Sequence, residues 1–156
     1  MKNKKFSASL RHAFDGVIYT AKLERNFRFD ISAALYVIWF SAAYGLSRTE
    51  WALIMAVIGS MLVIETINTA VEQAVDAAVH GYEIHAKHAK DAAAGASLIF
   101  AVFAVIIALT IFFDIDRLLA AFTRIINTPV YIIVFVLISL FTLWLFLKAG
   151  KKNNKE

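Results

Sequence analysis

Four polar side chains interrupt an apolar run in the segment MLVIETINTAVEQAVDAAVHGYE, Met61 to Glu83: Glu65, Asn68, Glu72 and Asp76. On a helix, their spacing keeps Asn68, Glu72 and Asp76 within about 60° of the direction of Glu65. One stripe therefore carries three acids and an amide. An ionisable side chain inside a bilayer is costly and is functional by default. A carboxylate buried this way suits general-base work near neutral pH. Acids at the wet end of the same helix supply the oxygen ligands that Mg²⁺ takes. The competing reading is structural, a polar group acting as hydrogen-bonded glue between helices. It weighs less than the functional reading at Glu65, and for Asp76 a solvated carboxylate weighs as much as a working one.

Other charged residues fall at a similar depth. Lys90 and Asp91 open a later apolar run, and Glu24, Arg28 and Asp30 precede the first one. A mixed basic and acidic cluster at one membrane face suits a phosphate-bearing substrate with its metal, and amides at a helix start near Lys90 and Asp91 would help hold an anion. The residues by themselves do not give a reaction. An acid-lined proton or cation path through a small channel or transporter subunit stays open. Against it, the acids gather on one face and the other spans hold no deep ionisable partner. A non-catalytic membrane scaffold is the third reading.

These residues need long helices to position them. The chain has 156 residues, is 60% hydrophobic, and has a mean hydropathy of +0.67. That excludes an ordinary soluble domain and points to an all-α integral membrane protein. With no Cys there is no disulfide and no thiolate metal site. The net charge of +4 suits a chain lying against anionic lipid, and no nucleic-acid partner is expected. Four spans are predicted, at Ile31–Leu46, Trp51–Ala70, Ala92–Phe113 and Pro129–Leu147. Pro129 sits where a first-turn proline is tolerated. No cleavable signal peptide is expected.

Lysine and arginine crowd the N-terminal flank, the second-to-third connection (Lys87, Lys90) and the tail (Lys148, Lys151, Lys152, Lys155). Both termini and the acid stripe are therefore expected in the cytoplasm. Phe6, Leu10, Phe14, Val17 and Ala21 recur at helical spacing, which predicts an amphipathic helix in the interface. The helix from Trp51 to about His80 would be roughly 45 Å long and would carry the stripe out of the hydrocarbon, with Glu65 still inside it. The expected organisation is an interfacial helix over 1–28, a three-helix core over 29–113, a loop over 114–128, a fourth span over 129–148 and a basic tail over 149–156.

Three pieces then carry a resemblance: ETINTAVEQAVD, with the spacing E-x-x-N-T-A-x-E-x-x-x-D; AKDAAAGAS at the start of the third span; and ERNFRFD before the first. Together and in this order they resemble the prokaryotic diacylglycerol kinase and undecaprenol kinase family of small membrane lipid kinases, from about Phe6 to Phe113. The resemblance implies a homotrimer with active sites shared between neighbours. It implies transfer of the γ-phosphate of MgATP to a lipid alcohol, undecaprenol first and diacylglycerol as the alternative. By position, Glu65 is the implied base and Asn68 its polar neighbour. Glu24 and Glu72 are the implied metal-holding acids. Asp76, Lys90 and Asp91 complete the nucleotide site, Arg28 and Asp30 support it, and Gly95 allows close packing. The chain has neither a G-x-x-x-x-G-K-[ST] loop nor an H-R-D loop, so the acid stripe and lysine would do that work. It departs from the family at Glu83, where many relatives have His, in the extra His85 and His88, and in the fourth span. Solvated histidines are favoured over metal ligands at His85 and His88.

Overall fold

The computed structural model describes residues 2–79, 81 and 83–150, with side chains placed from residue 6 to residue 148. His80, Tyr82 and the tail lysines Lys151, Lys152 and Lys155 lie outside the described residues. All regular structure among the described residues is helical: α1 (Lys2–Leu23), α2 (Arg25–Tyr44), α3 (Arg48–Ala78), α4 (Ile84–Phe112), α5 (Ile115–Asn127) and α6 (Pro129–Gly150).

Local chemistry sets these boundaries. The α3 helix opens on a capping box: Ser47 Oγ accepts from the Glu50 amide, and the Glu50 carboxylate accepts from the Ser47 amide at 2.7 Å. It then runs 31 residues without a break, about 46 Å, and carries the whole acid stripe. Glu83 caps α4 by accepting from the amides of His85 and Ala86. The residue that departs from the family pattern thus has a structural task. Pro129 is the first residue of α6.

Two expected boundaries need correction. The interfacial helix ends at Leu23 rather than continuing to residue 28, and Glu24 is extended, with φ −91° and ψ 123°. Arg28 and Asp30 therefore belong to the first turns of α2. The cause is Arg28 itself, whose guanidinium donates to the carbonyls of Ala21 and Lys22 at 3.1 and 3.2 Å and closes the end of α1. The second correction concerns residues 114–128, expected as a loop. Ile115–Asn127 is a helix, capped by Asp114 accepting from the Arg117 amide at 3.0 Å. Its arginines hold the end of α2: Arg124 donates to Ala43 O at 2.7 Å, and Arg117 to Gly45 O at 3.2 Å. Gly45 ends α2 in the left-handed region, at φ +78°.

Among the described residues three helices are long and apolar enough to cross a membrane, Arg48–Ala78, Ile84–Phe112 and Pro129–Lys148. The first predicted span, in α2, is not among them. Arg28, Asp30 and several hydroxyl-bearing residues dilute its apolar character, and these groups turn toward neighbouring helices. Even so, α2 covers the same depth as α6. Phe29 meets Phe146 at 4.9 Å at one end, Tyr36 bonds Ser139 at 3.0 Å midway, and Tyr131 donates to Ala42 O at the other end. The two helices are antiparallel, with α2 packed between α6 and the α3–α4 hairpin.

The molecule has two different ends. Ala43, Tyr44, Leu46, Ile54, Ile111 and Ala121 form a closed apolar core where α5 covers the ends of α2 and α4. Tyr44 donates to Ile111 O at 3.1 Å, and Arg117 lies 4.3 Å over its ring while pairing with Glu50 at 2.9 Å. The acids occupy the other end. Between them the outward faces of α4 and α6 are broadly exposed and apolar, as lipid contact requires. Phe6, Leu10, Phe14 and Val17 of α1 are exposed too.

Candidate active site

The buried face of α3 is polar. Glu65 is 2% exposed and Asn68 6% exposed. Asn68 Nδ2 donates to Glu72 Oε1 at 3.4 Å, and Thr69 donates to the Glu65 carbonyl at 3.0 Å. Buried polar atoms are nearly always hydrogen-bonded, yet among the described residues Glu65 Oε1, Asn68 Oδ1, Asp30 Oδ2 and Ser97 Oγ have no partner. Three of these residues, Glu65, Asp30 and Ser97, line one open groove of about 380 Å³ between α2, α3 and α4, with Phe29, Met61 and Ala101. The α4 wall is Ala94 and Ser97, from AKDAAAGAS, with Leu98 and Ala101 beyond it. An apolar groove of about 280 Å³ shares Asp30, Met61 and Ala101 with it and continues past Ala34 and Val37 to Ile54, toward the closed core. A small hydroxyl-bearing head fits the first groove, and an alkyl chain fits the second.

Glu24, at the break between α1 and α2, brings a further acid to this end. Its carboxyl is held above the usual carboxylate range by burial, then by the charges of Glu72 and Glu65, with Arg28 opposing. Acids gathered this way without a full counter-charge suit a hard cation. Among the described residues no group of three or more His, Asp or Glu converges as a metal site. The candidate is the Glu24 and Glu72 pair, and His85 and His88 do not extend it.

The remaining predicted residues sit apart. Asp76 and Lys90 pair at 2.7 Å across α3 and α4, and Lys87 pairs with Asp91 at 3.3 Å. They line a polar cleft of about 360 Å³ with Glu83 and Gly81 at the α3–α4 turn. Glu72 links the two groups, since its charge reaches Glu24 and Lys90 alike. Arg28 is 9% exposed and acts on α1. Two residues escaped the sequence reading. Ser97 sits within the quoted AKDAAAGAS, where a hydroxyl among small residues was the only signal. Tyr19 lies off the apolar stripe of α1 and donates to Gln73 at 3.0 Å, tying α1 to α3.

An all-α membrane protein that presents a buried, unpartnered carboxylate to a lipid-facing groove, with further acids beside it, is built as an integral-membrane enzyme working on lipid. Residues 11–112 match the family described as prokaryotic diacylglycerol kinase, and the chain belongs to that family. It is 44% identical over 108 residues to the undecaprenol kinase of Bacillus subtilis, covering 69% of this chain and 88% of that one. It is 37% identical over 100 residues to a diacylglycerol kinase of Synechocystis, covering 64% of this chain and 57% of that one. No solved structure matches the chain. The protein is a membrane lipid kinase, which removes the ion-path and scaffold readings. The family match ends in α4, so α5 and α6 lie beyond it.

Proposed function

We propose that this lipid kinase transfers the γ-phosphate of MgATP to the terminal hydroxyl of undecaprenol, forming undecaprenyl phosphate and ADP. The observation that carries the reading is Glu65, buried in α3 with one carboxylate oxygen free, on a polar groove that continues into an apolar one. The similarity to the Bacillus subtilis undecaprenol kinase supports the substrate.

In this mechanism the lipid hydroxyl enters beside Glu65, with Asp30 and Ser97 on the same groove. Glu65 Oε1 takes its proton as the oxygen attacks the γ-phosphorus and the bond to ADP breaks. Asn68 orients Glu72 through its amide and keeps Oδ1 free for a substrate or water. Glu24 and Glu72 fit Mg²⁺ by donor type and by the repulsion a cation would relieve. Bound there, the ion would neutralise charge on the transferring phosphate. Lys90 exchanges Asp76 for nucleotide phosphate, and Asp91 completes that cleft. Arg28 and Asp30 support the site from α2. Phosphoryl transfer depends chiefly on positioning and charge, which such a set supplies without a glycine-rich loop.

The working unit is a homotrimer with shared active sites. This is supported by the family resemblance and by the open α4 face at Gly95, where an added Cβ would meet nothing within 4 Å in one chain. The acid-bearing end faces the cytoplasm at the inner membrane, a reading supported by the lysine and arginine distribution and by the family resemblance. The C-terminal end of α6 lies on that side, beside Phe29.

The test is phosphate transfer from radiolabelled ATP by purified protein, with undecaprenol and diacylglycerol offered in parallel, with and without Mg²⁺. Mg²⁺-dependent label in undecaprenyl phosphate is expected. Label in phosphatidic acid alone would move the assignment to diacylglycerol, the activity named for the Synechocystis relative. Label in neither would sink both.

A further inference from the structure

The family match ends in α4, but α6 returns to the active-site end and touches it. Phe146, near the end of α6, packs its ring 4.9 Å from Phe29, which lines the polar groove, and lies 5.8 Å from the guanidinium carbon of Arg28. Arg28 in turn donates to Ala21 O and Lys22 O, the last carbonyls of α1. Those bonds fix the break at which Glu24 sits, and Glu24 is the acid that feels Glu72 and Glu65. A chain of contacts therefore runs from α6 through Arg28 to the α1–α2 elbow. Arg28 Nε has no hydrogen-bond partner among the described residues, and on the α6 side the buried guanidinium faces the Phe146 ring.

We infer that Phe146 is a positioning residue of the kinase, a brace that holds the α1–α2 elbow and so keeps Glu24 in place for the metal-bound nucleotide. The inference rests on the reading of Glu24 and Glu72 as the metal-holding pair. A ring stacked on a partly desolvated guanidinium contributes roughly a factor of five in an equilibrium. Loosening it frees the elbow without touching Glu65.

The experiment uses the full chain in detergent as wild type, Phe146→Ala, Phe146→Leu, Phe146→Tyr and Leu143→Ala. Leu143 is 55% exposed on the same helix and serves as the control for lost apolar area. The first readout is the rate of tryptic cleavage at Lys22 and Arg25, which flank the elbow, without nucleotide. The second is the separation of kcat from the KM values for MgATP and for lipid.

Phe146→Ala is expected to be cleaved about fivefold faster and to raise the KM for MgATP by a similar factor, with kcat little changed. Phe146→Leu, which keeps the bulk without the ring, shows the same direction and guards against misfolding of the alanine variant. Phe146→Tyr restores both readouts, and Leu143→Ala behaves as wild type. Cleavage at the wild-type rate in Phe146→Ala and Phe146→Leu overturns the brace, as does an equal effect of Leu143→Ala. Faster cleavage with an unchanged KM for MgATP overturns the positioning role. If wild-type protein phosphorylates no lipid, the functional reading fails on its own, and the cleavage rates still judge the brace.

Discussion

Glu65 is the residue on which the chemistry turns, because its carboxyl is buried and Oε1 has no hydrogen-bond partner among the described residues. Glu65→Gln keeps the shape and removes the proton acceptor. Turnover is expected to fall by at least about a hundredfold, with the melting temperature in detergent equal or higher, since a buried carboxyl with an unpartnered oxygen has been replaced by a neutral amide. Normal turnover in that variant would remove Glu65 as the base. Glu72 answers to a different measurement. Glu72→Ala is expected to weaken nucleotide binding about tenfold or more in Mg²⁺ and much less without it. Equal MgATP affinity by calorimetry would sink the metal assignment. At this scale the stripe from Glu65 to Asp76 was legible, because helical spacing alone places those side chains together. Glu24 was legible as a charge at the same depth, and its metal-holding role only through the family resemblance. Its role needs the elbow at Leu23, and that elbow is made by Arg28 reaching back to carbonyls six and seven residues earlier.

The elements show where sequence reading stops. Residues 114–128 carry Asp114, Asp116, Arg117 and Arg124, whose charges nearly cancel and which together read as a connecting loop. Folded, Asp114 is a helix cap, Arg117 pairs with Glu50, and Arg124 bonds the end of α2. Asp114, Arg117 and Arg124 each find a partner more than sixty residues away or within the first turn of α5, so no local pattern reveals the task. The inner face of α5 has little room, since Ala121 is 1% exposed. Ala121→Leu is therefore expected to destabilise the protein by about 1–3 kcal/mol through overpacking. Thermal unfolding in detergent measures it, and an unchanged transition would mean that α5 does not dock as described. The α2 helix is the opposite case. It was predicted as a short first span and proves the least apolar of the four, and it packs against α1, α3, α5 and α6.

For the whole molecule, stability and activity belong to different ends. The closed core under α5 holds α2, α3 and α4 together, while the acid end is left with unpaired polar atoms and open grooves. Such unpaired groups are costly and persist where a ligand uses them. The open, apolar α4 face is expected to be covered by neighbouring copies and by lipid. Native mass spectrometry from mild detergent should show three chains as the largest stable species, and a monomer as the largest species would refute the shared site. Removal of α6 is expected to leave an inserted protein with a lower melting temperature, because Trp39 loses its acceptor at Tyr131 O and Tyr36 loses Ser139. The cost is modest, since lipid replaces apolar contacts more easily than hydrogen bonds.

Sequence by itself determined that the protein is helical and membrane-bound, that one stripe of one helix carries its acids, and which family it resembles. These follow from hydropathy, from the period of the helix and from residues close together in the chain, all local quantities. The tertiary structure alone decided which acids meet, where α1 breaks, that 115–127 is a helix, and that α6 lays Phe146 against Phe29 and Arg28. Each of those depends on a side chain meeting a group on another element, and such a meeting is fixed by packing, which no local spacing encodes.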